Sequence, residues 1–326
     1  RVDRLPVAAG SRLLVSRMEG FRLHPDFSNR GRYGIPFTVV AGDQPRVPVT
    51  FEYADESDPG PYPIPPDAPV EGGSDRHVLV VDRDACRLYE MFAARRDGAG
   101  WRAGSGAVFD LATGALRPAG WTSADAAGLP ILPGLARADE VARGEIDHAL
   151  RFTVSRTQRA YLYPARHVAS ADRDPAAPPM GLRLRLRAGY PLGGFGPQAR
   201  VILTALKRYG MIVADNGSSG FVTGAPSPQW DDDDLHALER VPASAFEVVD
   251  TTALPGTPRA RAVNVRATTS GRWTRVRFLH TAAGRFTVET VAGGRVVARR
   301  AGWARMGTVT VRVPARTGAR VRVRTA

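Results

Sequence analysis

The clearest helical period in the chain lies within residues 189–230, GYPLGGFGPQARVILTALKRYGMIVADNGSSGFVTGAPSPQW. Val201, Ile202, Ala205, Leu206 and Tyr209 recur at helical spacing, Pro197 suits the first turn and Gly210 a C-terminal cap. The pattern predicts a helix from about Pro197 to Tyr209. Met211 to Asp215 and the run from Phe221 read as strands on either side of a turn. One substantial helix set among many extended runs points to a mainly β fold.

Elsewhere the period is two. LRLRLRA (182–188) alternates leucine inward with Arg183, Arg185 and Arg187 outward, the mark of a strand in an antiparallel sheet with one wet face. HVLVVD and CRLYEMF, separated by three residues, read as a β-hairpin with His77, Leu79 and Val81 on one side of the first strand. On the second strand, Cys86, Leu88, Glu90 and Phe92 share a side. EIDHALRFTV (145–154) sends Ile146, His148, Leu150, Phe152 and Val154 one way, and Glu145, Asp147, Arg151 and Thr153 the other. YLYPARH (161–167) puts Tyr161, Tyr163 and His167 on one face. Short helices are expected over 122–128 and 133–144, and Asp231 to Asp234 sit where the start of a helix favours negative charge. The six prolines of residues 55–73 exclude helix and central strand. That arm either displays Tyr62, Asp55, Glu56 and Asp58 beside a cleft or stiffens a connection.

Charge divides the chain. From Thr257 onward there are sixteen arginines against one acid, Glu289, whereas the other residues balance to −2 within a total of +13. RAVNVRA, WTRVRFLH, GRFTVETV, RVVARRAGWA, GTVTVRVPA and ARVRVRT give about six strands with glycine turns, a small sandwich. The expected organisation is a jelly-roll-like antiparallel β-sandwich with a few short helices over 1–250, a linker over 251–257 and an arginine-rich β-sandwich over 258–326. A domain this basic can hold an acidic polymer. Nucleic acid is not favoured, because charge alone supports it and a bias towards arginine, with Lys207 the only lysine, accounts for part of that charge.

Several classes lose ground. No apolar run approaches membrane-spanning length, and the single Cys86 excludes an internal disulfide and a cysteine-based zinc site. Beginning at Arg1 without a leader, the chain reads as a processed or trimmed segment. There is no G-x-S-x-G elbow, H-E-x-x-H, C-x-x-C or phosphate-binding G-x-x-x-x-G-K-[ST] loop, so phosphoryl transfer, zincin and α/β-hydrolase chemistry lose ground, no residue is named as a metal ligand and the cofactor is left unknown. Gly194-x-Gly196-x-x-Ala199, with Asp215 following 21 residues after Gly194, imitates a dinucleotide fingerprint. The strand before it alternates with arginine, and no further βαβ units follow.

What remains is a constellation of polar residues on apolar strand faces: His77, Glu90, His148, His167 and Asp215. A carboxyl group in apolar surroundings is biased towards its protonated form and can act as a general acid, with a neutral imidazole as base. Each could instead be a hydrogen-bonded core residue, but several inward polar groups in one sheet make natural partners for one another. Glu90 and His148 are expected to share a site. Trp121, Tyr161, Tyr163 and Trp230 are candidate sugar-stacking platforms, with Arg183 and Arg185 as candidate ligands for acidic groups.

The strings YADESDPGPYPIP (53–65), HVLVVDRDACRLYE (77–90), LRPAGWTSADAAGLPILPGL (116–135), GEIDHALRFTV (144–154) and LKRYGMIVADNG (206–217) resemble a family of secreted bacterial β-rich proteins without an assigned activity. The resemblance covers about residues 23–249 and implies a secreted or cell-surface location, with no mechanism attached. Two functions compete. One is an extracellular glycoside hydrolase or polysaccharide lyase acting through inward Glu and His. The other is a noncatalytic surface or matrix protein that binds acidic polymers through the basic C-terminal domain. Convergence of Glu90, His148 and His77 in an open cleft would favour the first, and their burial in the core the second.

Overall fold

The structure is a computed structural model describing residues 1–18, 20–29, 33–174, 176–257, 261–280, 284–304 and 307–325. Pro258, where the second domain was expected to begin, lies outside the described residues. The protein is mainly β, with 35% strand against 13% helix, and divides into two compact units, Arg1–Asp250 and Thr251–Ala326. Residues 251–257 form turns with exposed positions at Ala253, Pro255 and Gly256. A broad-specificity protease is therefore expected to cut first within 251–257 and leave two resistant fragments; first cleavage inside residues 1–250, read by mass spectrometry, would contradict this.

In the first unit the strands are β1 (His24–Asp26), β2 (Phe37–Val40), β3 (Val49–Phe51), β4 (Val78–Asp82), β5 (Arg87–Phe92), β6 (Arg95–Asp97), β7 (Gly100–Ala103) and β8 (Ser105–Asp110). They continue as β9 (Leu150–Val154), β10 (Arg183–Leu186), β11 (Met211–Asn216), β12 (Phe221–Thr223) and β13 (Phe246–Val248). The helices are α1 (Ser11–Ser16), α2 (Ala138–Ala142), α3 (Pro197–Arg208) and α4 (Asp232–His236). A six-stranded sheet has the order β1-β12-β9-β11-β10-β13 and a four-stranded sheet the order β2-β4-β5-β8. The expected hairpin is β4 and β5, and β10 is antiparallel to both its neighbours, as its alternation requires. The sheets are nevertheless mixed, since β1 runs parallel to β12, β9 to β11 and β2 to β4.

Registers give the six-stranded sheet two unlike faces. Leu150, Phe152 and Val154 of β9 share a face with Met211, Val213, Leu184 and Leu186, and α3 packs on β10 with Ala199, Ile202, Leu203 and Leu206 buried. The opposite face carries Asp26, Thr223, Arg151 and Thr153, then Arg183, Arg185 and Glu247. Against this polar side lies the segment 122–135, which forms turns in place of the short helix expected at its start. The expected second helix shrinks to α2, preceded by a single 3-10 turn at Leu132–Gly134.

The dinucleotide imitation is closed by chemistry. The first free N–H groups of α3, those of Gln198 and Ala199, donate to the Asp234 carboxylate at 2.8 and 3.2 Å, and a Cβ on Gly196 would lie 2.5 Å from that carboxylate. The place a pyrophosphate would need is filled by a side chain of α4. Asp231 caps α4, accepting from the backbone N–H groups of Asp233 and Asp234. The proline-rich arm also packs inward: Tyr62 and Ile64 are buried in the core beneath Val78, Val80, Tyr89 and Met91.

The second unit contains β14 (Ala262–Ser270), β15 (Trp273–His280), β16 (Gly284–Ala292), β17 (Arg295–Ala304), β18 (Gly307–Pro314) and β19 (Arg320–Thr325). Two three-stranded antiparallel sheets, β14-β15-β18 and β17-β16-β19, enclose Val276, Phe278, Phe286, Val288, Val311 and Val313. Glu289 lies on the outer face of the second sheet beneath Arg299, Arg322 and Arg324, whose nearest approaches are 2.8, 2.7 and 3.5 Å. Hydrogen bonds from Arg322 and Arg299 hold its carboxyl below the usual range.

Candidate functional site

The segment 122–135 has backbone groups that water cannot reach, and side chains from both sheets satisfy them. Glu90, fully buried beside Leu79, Leu88 and Ala107, accepts from the N–H groups of Ile131 at 2.9 and 3.0 Å and of Leu132 at 3.0 Å. Burial pushes its carboxyl up to about 7 against the pull of these two donors. His77, also buried, meets the Ala124 carbonyl through Nε2 at 3.0 Å and Glu71 through Nδ1 at 2.5 Å. Burial would lower its pKa, but Glu71 outweighs that and raises it. Ser105 donates to the Ser123 carbonyl. These polar residues are inward-facing because they tie down a buried connection.

From the opposite side, Arg151 grips Asp125, with Nε to Oδ2 at 3.1 Å and Nη2 to Oδ1 at 2.9 Å, while Nη1 donates to Thr223 Oγ1 at 2.5 Å. Asp125 is fully buried. Gly128, at φ 69°, lets the turn close, since a Cβ there would sit 2.5 Å from the Trp121 carbonyl.

Asp215 reaches this assembly through a β-bulge. Alternation from Met211 and Val213 would place it on the apolar face, but the register with β9 shifts between Val213 and Asp215, so Asp215 pairs with Thr153 on the polar side. It is half-buried, and its carboxylate accepts from Asn216 N at 2.6 Å and Ala126 N at 3.4 Å. Burial, and then the charge of Asp125, push its carboxyl up to about 7 although Arg151 pulls the other way. The Ala126 carbonyl receives His167 Nδ1–H at 2.9 Å, which leaves Nε2 facing Glu56 Oε2 at 3.7 Å. Glu56 in turn accepts from Thr122 N at 2.9 Å. Asp215, His167 and Glu56, all half-buried, are thus collected around Ala126 and Thr122, next to Trp121.

The predicted residues separate accordingly. Asp215, His167 and Trp121 come together, and the half-buried Tyr161 and Tyr163 lie on the segment leading to His167. One side of Trp121 is taken by the Arg117 guanidinium, 5.4 Å from the ring centroid. The shared Glu90 and His148 site does not form, and Glu90 and His77 lie in the core, which is the outcome that counts against catalysis by the expected Glu90, His77 and His148 constellation. His148 precedes β9 instead of lying on its apolar face, and its ring bonds Glu140 at 3.2 Å and the Ala149 carbonyl at 3.0 Å. Burial lowers its pKa less than Glu140 raises it. Trp230 is buried, donating to the Ala225 carbonyl at 2.9 Å and packing on Phe27, so it is no open platform. Arg185 is engaged by Glu247 and the carbonyls of Val2 and Leu5, and Arg183 reaches the Tyr209 carbonyl; both serve the fold.

Sequence reasoning missed Asp125, read as part of a short helix, and Arg151, read only as an outward residue of its strand. It had named Glu56 for display and not for the site. A buried Arg–Asp pair is visible only when two segments 26 residues apart are docked. Among the described residues no group of three His, Cys, Asp or Glu side chains is arranged to hold a metal ion, and no helix is long and apolar enough to cross a membrane. A separate surface pocket of about 340 Å³, lined by Phe37, Arg137, Asp139 and residues 225–229, contains none of these acid and base groups. No protein-family model matches the chain, and no curated protein matches it significantly.

Proposed function

We propose that the first unit is a carbohydrate-active enzyme working outside the cell, a glycoside hydrolase or polysaccharide lyase, in which Asp215 is the proton donor. The observation that carries this reading is a half-buried carboxyl held near 7 beside a histidine with a fixed tautomer. A group with that pKa is protonated in useful amounts near neutral pH and still gives up its proton readily. Asp215 would protonate the departing glycosidic oxygen as its C–O bond breaks, and His167, held by Ala126, would through Nε2 take the proton lost by the attacking water in a hydrolase or by the carbon next to the uronate carboxylate in a lyase. Trp121 and the tyrosines before His167 supply flat apolar surface beside these groups.

A panel of neutral and acidic polysaccharides, assayed by reducing-end release and by ultraviolet absorbance of unsaturated products, tests the reading. Asp215→Asn keeps the shape and, through its single amide oxygen, one of the two contacts accepted from backbone N–H groups, but carries no acidic proton. It is expected to lower the rate by about 10²–10⁴-fold. Wild-type activity should decline as pH rises through about 7, where Asp215 loses its proton. Equal rates for the two proteins, or an acid limb in place of the alkaline one, would remove Asp215 from the chemistry.

A second reading concerns the other unit. Its exposed arginines favour binding of an acidic polymer, independent of any catalysis in residues 1–250.

A further inference from the structure

The arginines of the second unit are not spread evenly over its surface. On the outer face of β14-β15-β18 the register sets Arg266 opposite Arg277, which is opposite Thr310. The next row is Thr268, Arg275 and Arg312, and the row after that is Ser270, Trp273 and Pro314. All nine positions are exposed, and Trp273 shows 44% of its surface. The other face of the same strands supplies Val276, Phe278, Val311 and Val313 to the core.

Two pairs of arginines therefore stand directly opposite each other across strands. Like charges in that arrangement destabilise a sheet. On the other sheet, Arg299, Arg322 and Arg324 are gathered on Glu289, the sole acid of residues 257–326. Among the described residues, none of Arg266, Arg275, Arg277 and Arg312 has a carboxylate partner. A face that concentrates four positive charges without a counter-charge, and keeps a tryptophan in line with two of them, is shaped for something outside the chain.

We propose that this face is a binding site for a linear polysaccharide bearing carboxylate or sulfate groups, which deepens the acidic-polymer reading above by naming its site and ligand class. Neighbouring strands set the arginine backbones about 4.8 Å apart and successive outward positions about 6.8 Å apart, and the long side chains can spread from there to meet anionic groups on adjacent sugars. Each guanidinium can take a carboxylate or sulfate in a two-point hydrogen bond. Trp273 offers its ring to the apolar face of a sugar, and Thr268 and Thr310 offer hydroxyls between the arginines. Nucleic acid fits less well. A single-stranded chain would find one ring and so stack one base, and a flat three-stranded face has no element to enter a groove.

The test uses the full chain, with equilibrium binding to heparin, polygalacturonate, neutral dextran and a single-stranded oligonucleotide over a range of salt. Binding to at least one of the two acidic glycans, with none to dextran, is expected. Arg275→Ser/Arg277→Ser should weaken it at least tenfold and reduce the salt slope, by about one for each ion pair lost. Trp273→Ala should weaken it with the slope unchanged. A charge-matched control, Arg12→Ser/Arg17→Ser at exposed positions in α1 and at its C-terminal cap, should bind as wild type. These outward substitutions relieve like-charge contacts, and a circular dichroism melt confirms that the sandwich persists. Glycan binding that is unaffected by the β15 substitutions, or reduced equally by the control, overturns this face while leaving the acidic-polymer reading intact. No binding to either acidic glycan at low salt overturns both. Tighter binding to the oligonucleotide than to the glycans overturns the ligand class.

Discussion

Arg151→Met is expected to destabilise the first unit by about 3–5 kcal/mol, the usual cost of stripping one partner from a buried ion pair. The substitution preserves most of the side-chain volume but leaves the Asp125 carboxylate fully buried with its two-point partner gone. It also removes the donor to Thr223, and with it the link between β12 and the segment 122–135. Scanning calorimetry can follow the first unit's transition separately from that of the second. Asp125→Asn/Arg151→Met should be less destabilised than the sum of the two single changes, by at least about 1 kcal/mol, because neither partner is then left charged and alone. A loss below about 1 kcal/mol for Arg151→Met would mean that water reaches Asp125 and that the pair is not the clamp described here.

The first unit is also expected to be more stable at pH 5 than at pH 8, the reverse of a protein whose carboxylates are stabilised by partners. Glu90 is pushed from an ordinary 4.5 up to about 7 by burial. Folding therefore favours its protonated form, so its contribution is full below about pH 4.5 and is lost as pH rises through 7. The shift corresponds to about 3 kcal/mol. Asp215, raised for the same reason, slopes the same way. His77 and His148, raised by Glu71 and Glu140, contribute stability below about 6.5 that disappears as pH climbs through their folded values. Asp3, Asp110 and Asp172 are lowered, and act only as pH falls below their ordinary 3.8, outside this window. Glu90→Gln should flatten the pH 5 to 8 dependence by about 3 kcal/mol, as measured by urea denaturation at intervals of one pH unit. A variant with the same slope as wild type would show that Glu90 does not titrate in this range.

This dependence connects with the proposed chemistry. The burial that raises Asp215 into the range of a general acid is produced by docking 122–135 onto the sheet. The pH at which activity declines and the pH at which stability declines should therefore fall close together.

Much of the fold was legible because its causes are local. The period-two runs at 78–92, 150–154 and 183–186 read correctly, since a strand's side-chain alternation is set by its own backbone. The helix at Pro197–Arg208, with proline at its start, and the aspartates opening α4 follow from end effects that also act within a few residues. The six strands of the second unit and the concentration of arginine there are compositional. Even the apolar setting of Glu90 was correct, because its neighbours on alternate positions are Leu88 and Phe92, and its cross-strand partners prove to be Leu79 and Ala107.

Partnership was not legible. Alternation places a polar residue on a face but does not say what lies across from it, and here the partner was the backbone of 122–135 and not His148. That segment carries cap-forming residues and reads as a helix start, yet it is drawn out into turns, with His77 on the Ala124 carbonyl, Arg151 on the Asp125 carboxylate and Glu90 on the N–H groups of Ile131 and Leu132. Asp215 changed faces through one inserted residue, Ala214, whose effect exists only in the pairing of β11 with β9. By itself the sequence determined the mainly β character, the one long helix and the division of charge, all of which arise from interactions between residues near in the chain. Which acids and bases meet, and that Asp215 stays half-buried under the same Ala126 that holds His167 while Glu90 is sealed in the core, was decided only when strands far apart in sequence were registered against each other and a polar loop had to be satisfied between them.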